Sequence, residues 1–430
     1  MSKRTLIFAA IVLSLGVSKL QAVHYDSGWS NGSQDRWGLA TNWSPSIVPN
    51  NTVKDTFSVT ISSGGIPEGY VKVGLEESPT IDDLSLYGKT ELQNWTWHWI
   101  QLTVINGLTN YGDLSIDDID IAGNVTNTPG ASLDFGGHFN IFGDLYNAPG
   151  AAIDVFHFDT DIEGGTVQND GFIRATSGGS IGEAIQYDNN GDIFLFDGGS
   201  HGRVFNNNSQ GIITGSGAIT SDTITRNKGA IYASNGSLLL YSDGSLENTG
   251  TLGNRVGATL HIMVSAPAVS NQGEIKVNAS GAVVFDCNLA NDPNGEIELL
   301  GGALSATTIT QSADADFAGF GSITGDVLID PNAIITLTGQ TNIVGDVTIE
   351  ADATLEVSDG TTLVTGQTIC NGTIHMKGGR IIPQGGLSGN CDIKWEPGLY
   401  NNIADFNLDG NVDFADYAYF ADTWLWEARL

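Results

Sequence analysis

The densest run of metal-ligating residues lies at Asp405-Phe-Asn407-Leu-Asp409-Gly410-Asn411-Val412-Asp413-Phe-Ala-Asp416. A hard divalent cation takes several oxygen ligands, and alternate residues of a tight loop can converge on it. Here Asp405, Asn407 and Asp409 would coordinate through side chains, Asn411 through its carbonyl and Asp413 through a water. Asp416 would close the shell where Glu is more usual, Gly410 permits the sharp turn, and Val412 ties the loop to a local core. Ca2+ is therefore the expected cofactor, with Asp405, Asn407, Asp409, Asn411, Asp413 and Asp416 as its ligands.

Two further groups could do chemistry. His157, Asp159, Asp161 and Glu163 would share one face of an extended strand, and Asp117, Asp118 and Asp120 form a similar group. Carboxylates gathered on one sheet can serve acid/base cleavage of a glycan or hold calcium, but a lyase also needs a nearby cation, and the closest is Arg174. Acidic residues on a solvated face are ordinary, so no catalytic residue is assigned. Asp159, Asp161 and Glu163 stand as the alternative site, that of a polysaccharide lyase or glycoside hydrolase. The second group is Asn94-Trp95-Thr96-Trp97-His98-Trp99. Alternation would put Trp95, Trp97 and Trp99 on one face, either as a platform for sugar rings or as packing over an exposed core end. The packing reading is preferred.

The elements that must position these residues read as strands and turns. The 430 residues include 56 glycines and only 3 methionines. Between about residue 100 and residue 395 a phrase recurs: Asn, one or two residues, Gly, a small or polar residue, then an apolar strand. Asn110-Tyr-Gly112-Asp-Leu114, Asn127-Thr-Pro-Gly130, Asn147-Ala-Pro-Gly150, Asn169-Asp-Gly171, Asn227-Lys-Gly229, Asn248-Thr-Gly250, Asn271-Gln-Gly273, Asn294-Gly295 and Asn371-Gly372 carry it, with starts about 17 to 23 residues apart except across the longer gaps after Asn169 and after Asn294. That period suits one coil of a β-solenoid, three short strands joined by turns. Asn and Gly suit turns because both tolerate positive φ. Strands such as Ala152-Ile-Asp-Val155 alternate, pointing Ile, Leu, Val, Phe and Ala inward. The expected fold is all-β: a right-handed parallel β-solenoid (β-helix) over 101–395, preceded by a Trp-rich N-terminal cap over 23–100. A β-sandwich array, the competitor, would space its turns more closely.

The N-terminus reads as an export signal over 1–22. Lys3 and Arg4 precede an uncharged apolar run from Thr5 to Val17, and a small-residue cleavage point follows at Ala22. The run is too short to span a bilayer, which needs about 20 apolar residues. No membrane span is expected, and the mature chain is placed outside the cytoplasm, secreted or at the cell surface. The formal charge is −32, from 49 Asp and Glu against 17 Lys and Arg. A field of that sign opposes nucleic acid and anionic membranes and makes divalent cations the natural partners. Three cysteines do not make a disulfide scaffold; Cys370 and Cys391 lie about one repeat apart and can bridge adjacent coils. No cysteine sits in a nucleophile motif, and neither a Gly-x-Ser-x-Gly elbow nor a phosphate loop occurs.

Pro397-Gly398 precedes the calcium loop, and after it Phe414, Tyr417, Ala418, Ala421, Trp424 and Leu425 recur at helical spacing. A calcium loop with EF-hand spacing, without an entering helix and followed by one helix, resembles a dockerin type I repeat, covering 400–430. A full dockerin has two loops and two helices, and the Ser-Thr pair of cellulosomal dockerins is here Phe414-Ala415; a cohesin-type partner is not expected. The resemblance implies an extracellular module of polysaccharide-degrading or surface-attached proteins. The phrase Gly28-Trp29, Trp37, Asn42-Trp43-Ser44-Pro45, Val48-Pro49-Asn50 resembles the opening of secreted bacterial β-helix proteins. The expected function is an extracellular structural or binding protein that contacts a polysaccharide or a cell-surface protein.

Overall fold

The computed structural model describes residues 23–30, 34–52, 54–63, 70–96, 98–137, 139–156 and 159–396. The expected signal, the calcium loop at 405–416 and the helix after it lie outside the described residues. The chain divides into two units, Met1–Tyr232 with Gly236–Ser245, and Leu246–Leu430 with Ala233–Asn235. In each, short strands stack in parallel as a β-solenoid, most of them pairing with a counterpart one coil earlier and one coil later, while Gly28 and Trp29 pair antiparallel with Ser44 and Trp43.

In the first unit the register stacks Leu114, Leu133, Ile153, Ile173, Ile193 and Ile213 in one inward column. All are at most 1% exposed. In the second unit Leu252, Ile275, Ile297 and Phe317 form the equivalent column. Period-two alternation produces this directly: one set of side chains fills a narrow interior and the other meets water. The stacking starts before residue 100, since Asp55–Ser62, Thr80–Tyr87 and Ile100–Asn110 already pair in parallel. Within 23–100, Trp37 and Trp43 are buried against each other, and their indole N–H groups donate to the Pro49 and Trp37 carbonyls at 3.0 and 2.8 Å.

The asparagines of the repeat do something the turn reading missed. Asn110, Asn127, Asn147, Asn169, Asn189, Asn207 and Asn227 each end a strand, are fully buried, and lack positive φ. Each Nδ2 donates to the Oδ1 of the next, at 2.9, 2.9, 2.8, 2.8, 2.8 and 2.8 Å. The second Nδ2 hydrogen reaches a backbone carbonyl, as from Asn110 to Ser132 at 2.7 Å and from Asn127 to Ala152 at 2.8 Å. The second unit repeats the ladder through Asn248, Asn271, Asn291 and the Gln311 amide, at 2.6, 2.7 and 2.8 Å. The same column then continues as Ile329, Ile349 and Cys370. Cys370 bonds Cys391, 21 residues on, so the bridge expected between adjacent coils forms.

Positive φ falls instead on the residue after Pro, Val or Ala in the following turn: Gly130, Gly150, Gly257, Ser280, Asn294, Asp314, Asn332 and Asp352. Asn294 is therefore the turn residue of its repeat, and Asn291 the ladder residue. The glycine of the repeated phrase can answer a different demand. A Cβ at Gly273 would lie 2.1 Å from the Gly250 carbonyl oxygen one coil away. Only glycine fits so close a backbone approach.

Replacing Asn147 by Ala should strand the Asn127 amide N–H and the Asn169 carbonyl oxygen in the interior. The expected loss is roughly 1–3 kcal/mol per stranded group, read as a lowered unfolding midpoint in urea. Asn147→Asp should cost more at neutral pH, because it adds a buried charge and still removes the donor.

Candidate functional site: a carboxylate-bearing face of the first unit

On the outer face of the first unit the same register gathers polar residues that are far apart in sequence. Lys72, Glu91, Ser115, Asp134, Asp154 and Arg174 occupy one column on successive coils. Lys89, Asp113 and Ser132 stand beside it on one side, and Gln93 and Asp117 on the other. Tyr70, Lys89, Glu91, Asp113, Ser115 and Asp134 line a shallow depression of about 360 Å³.

Acids outnumber cations on this face, and two of them are paired between neighbouring coils. Lys72 Nζ lies 2.7 Å from Glu91, and Arg174 grips Asp154 with both Nε and Nη2, at 2.7 and 2.8 Å. The Arg174 guanidinium lies 5.4 Å from the Phe156 ring centre, and Lys89 Nζ 5.6 Å from that of Tyr70. Ser132 donates to Asp113 at 2.8 Å, and Gln93 to Asp117 at 3.1 Å. Three carboxyls are nonetheless held above their ordinary range. Burial raises Glu91, with Asp117 adding to it. Burial raises Asp117, with Asp118 adding and Gln93 opposing. Burial raises Asp134, and the Asp154 charge adds to that against Arg174. Asp120 is also raised by burial, opposed by hydrogen bonds from Asn140.

Asp159 and Asp161 lie on the strand Asp159–Ile162, Asp161 pairing with Asn140 and Gly182, whereas Glu163 falls beyond the strand end and is exposed. His157 lies outside the described residues. Arg174, the cation nearest in sequence, is committed to Asp154 instead. Among the described residues no group of three or more His, Cys, Asp or Glu is arranged to hold a metal ion. Glu91, Asp134 and Asp154 escaped sequence reading because each meets its neighbours a whole repeat away in the chain. The signal that could have found them is spacing: Asp134, Asp154 and Arg174 recur every 20 residues.

Trp95 and Trp99 lie outside the strands on either side of them. The strand Lys89–Asn94 ends before them, and Asn94 turns the chain, its Oδ1 accepting from Thr96 N–H at 2.8 Å and its Nδ2 donating to the His98 carbonyl at 2.8 Å. Trp95 is half-buried over Gly74, where any Cβ would sit 2.0 Å from the indole, and its Nε1 donates to Gln93 at 3.1 Å. Trp99 is 74% exposed. Trp97 lies outside the described residues. Packing thus claims Trp95, and Trp99 is presented to solvent.

Cys287 is buried, and desolvation raises its thiol, which disfavours the thiolate a nucleophile requires. No described helix is long and apolar enough to cross a membrane. These features define the class: a parallel β-solenoid with a polar, charge-paired outer face. No protein-family profile matches the chain, and no curated protein matches it.

Asp134→Asn tests the electrostatics of the face. A carboxyl raised in the folded state lowers stability as pH rises through its folded value, and that loss is absent below the unfolded value. The variant should therefore be more stable than the parent at pH 7, with the advantage shrinking as the solution is acidified and the parent's Asp134 takes up its proton. Thermal melts at a series of pH values read this directly.

Proposed function

We propose that this chain is an exported β-solenoid acting as an extracellular structural or binding protein, with a calcium-binding, dockerin-like module at 400–430. The observation that carries the non-catalytic reading is the distribution of charge on the first unit. Its acids and bases pair from coil to coil, as Lys72 with Glu91 and Arg174 with Asp154, rather than converging on a point where a bond could be broken. The Cys370–Cys391 bridge supports an oxidising, extracellular setting. The surplus of acid over base supports partners that are uncharged, cationic or bridged by divalent metal.

A second reading, a polysaccharide lyase or hydrolase on the same scaffold, draws support from the carboxyls of Glu91, Asp117 and Asp134, which burial raises in the direction a general acid requires. Incubation with a panel of polysaccharides separates the two. The structural reading expects retention without new reducing ends or unsaturated products; product release that Asp134→Asn abolishes would establish the enzyme.

The calcium module has its own test. Calorimetric titration of the chelator-stripped chain should show one site, and Asp405→Ala or Asp409→Ala should weaken it by at least about tenfold by removing a charged ligand. Heat of binding unchanged in both variants would remove the loop from consideration.

A further inference from the structure

The second unit carries a groove unlike the acidic face of the first. It is open to solvent, with a volume of about 820 Å³, and its floor is one outward column on seven successive coils: Thr259, Ala282, Ala303, Ser322, Asn342, Leu363 and Ile382. At the spacing of stacked strands those coils extend over roughly 28 Å. The depth comes from small residues that cannot easily be enlarged. A Cβ on Gly321, whose φ is +142°, would lie 2.3 Å from the Gly302 carbonyl oxygen, and one on Gly302 would lie 2.3 Å from that of Asn278. Along one wall stands Phe320, 42% exposed. Its neighbours on the adjoining coils are Gly301 and Gly339, where a Cβ would come within 3.1 and 3.4 Å of Phe320. Their missing side chains leave the ring uncovered. Gln340 and Asn342 put amides beside it, and Ser280 and Ser322 add hydroxyls.

No lining residue is ionisable, in a chain where 15% of residues are charged. That absence selects the occupant. The one cation at its edge, Arg380, already donates from Nε to the lining Thr361 hydroxyl at 3.0 Å, so a polyuronate or an acidic peptide would find no row of cations to meet it, and no acid lines the groove for a basic chain. The groove lies on a sheet face, so an added peptide strand would find no free backbone edge to pair with. Its length favours a linear ligand, its amides and hydroxyls favour a ligand rich in hydroxyl groups, and its bare ring favours one with flat apolar faces. We propose that this groove binds a linear, uncharged polysaccharide stacked on Phe320. The proposal rests on the reading of the chain as a glycan-contacting protein and adds a site and a ligand class to it.

Affinity electrophoresis of the full chain, in calcium, tests it with a soluble β-glucan, a galactomannan and an arabinoxylan as neutral polymers and polygalacturonate as the charged one. At least one neutral polymer should retard the protein, and raising the salt should leave the effect intact. Phe320→Ala removes an exposed ring and should weaken retardation about tenfold, the equivalent of about 1.4 kcal/mol. Ala303→Leu, which fills the floor, should weaken it similarly, with melting curves verifying that both variants fold. Trp99→Ala should leave it unchanged. If neutral polymers are retained equally by Phe320→Ala and Ala303→Leu but lost in Trp99→Ala, the groove proposal fails and the glycan-binding reading stands. If only polygalacturonate binds, the groove again fails alone. If nothing in the panel binds, both fail.

Discussion

A parallel solenoid obliges each coil to satisfy the polar groups of the next, and the buried amide ladder shows how strict that obligation is. An asparagine side chain carries both donors and an acceptor, so a column of identical amides can bond to itself without limit. Asp would lack the donor and Leu would lack both. Gln311 can take a place in the second unit's ladder because it carries the same amide on a longer stem. Where the column turns apolar, at Ile329 and Ile349, no neighbouring side-chain amide is left to satisfy on that side, and the column ends in the Cys370 bridge. The interior is thus wholly apolar or wholly paired at this position, which is the condition a buried polar network has to meet.

The same stacking governs the surface. Because residues in equivalent positions sit one strand spacing apart, two acids in register repel and must be answered. Asp134 and Asp154 are such a pair, and the Arg174 guanidinium on the next coil answers only the second of them directly. Asp134 is left to carry a raised pKa. The Lys276–Glu298 and Lys377–Glu356 pairs of the second unit, at 2.5 and 2.7 Å, follow the same rule. Exposed pairs of this kind contribute little stability. Their value here lies in permitting a stack of like residues without accumulating like charge.

From these constraints the two units come to offer different surfaces. The first presents an acidic face with ion pairs between neighbouring coils, the second a neutral groove in which glycines keep one aromatic ring bare. Both surfaces are columns, and each residue of a column arrives from a different coil. A recognition surface built this way is as rigid as the ladder behind it.

The sequence by itself determined the architecture. The recurrence of Asn and Gly about every 20 residues, with period-two strands between, admits a stack of coils and little else, and the Cys370–Cys391 separation matched one coil. It did not reveal that the first asparagine of each repeat is buried rather than turned, because a residue type that suits a turn also suits an interior ladder, and only a neighbour at hydrogen-bonding distance separates the two. It suggested that Trp95, Trp97 and Trp99 alternate on a strand, whereas Asn94 breaks the strand before they begin. It grouped Asp159, Asp161 and Glu163 because they are adjacent in the chain, while the tertiary structure grouped Glu91, Asp134, Asp154 and Arg174 because they are adjacent in space. Local patterning decides which way a side chain points; only the register between coils decides which side chains meet.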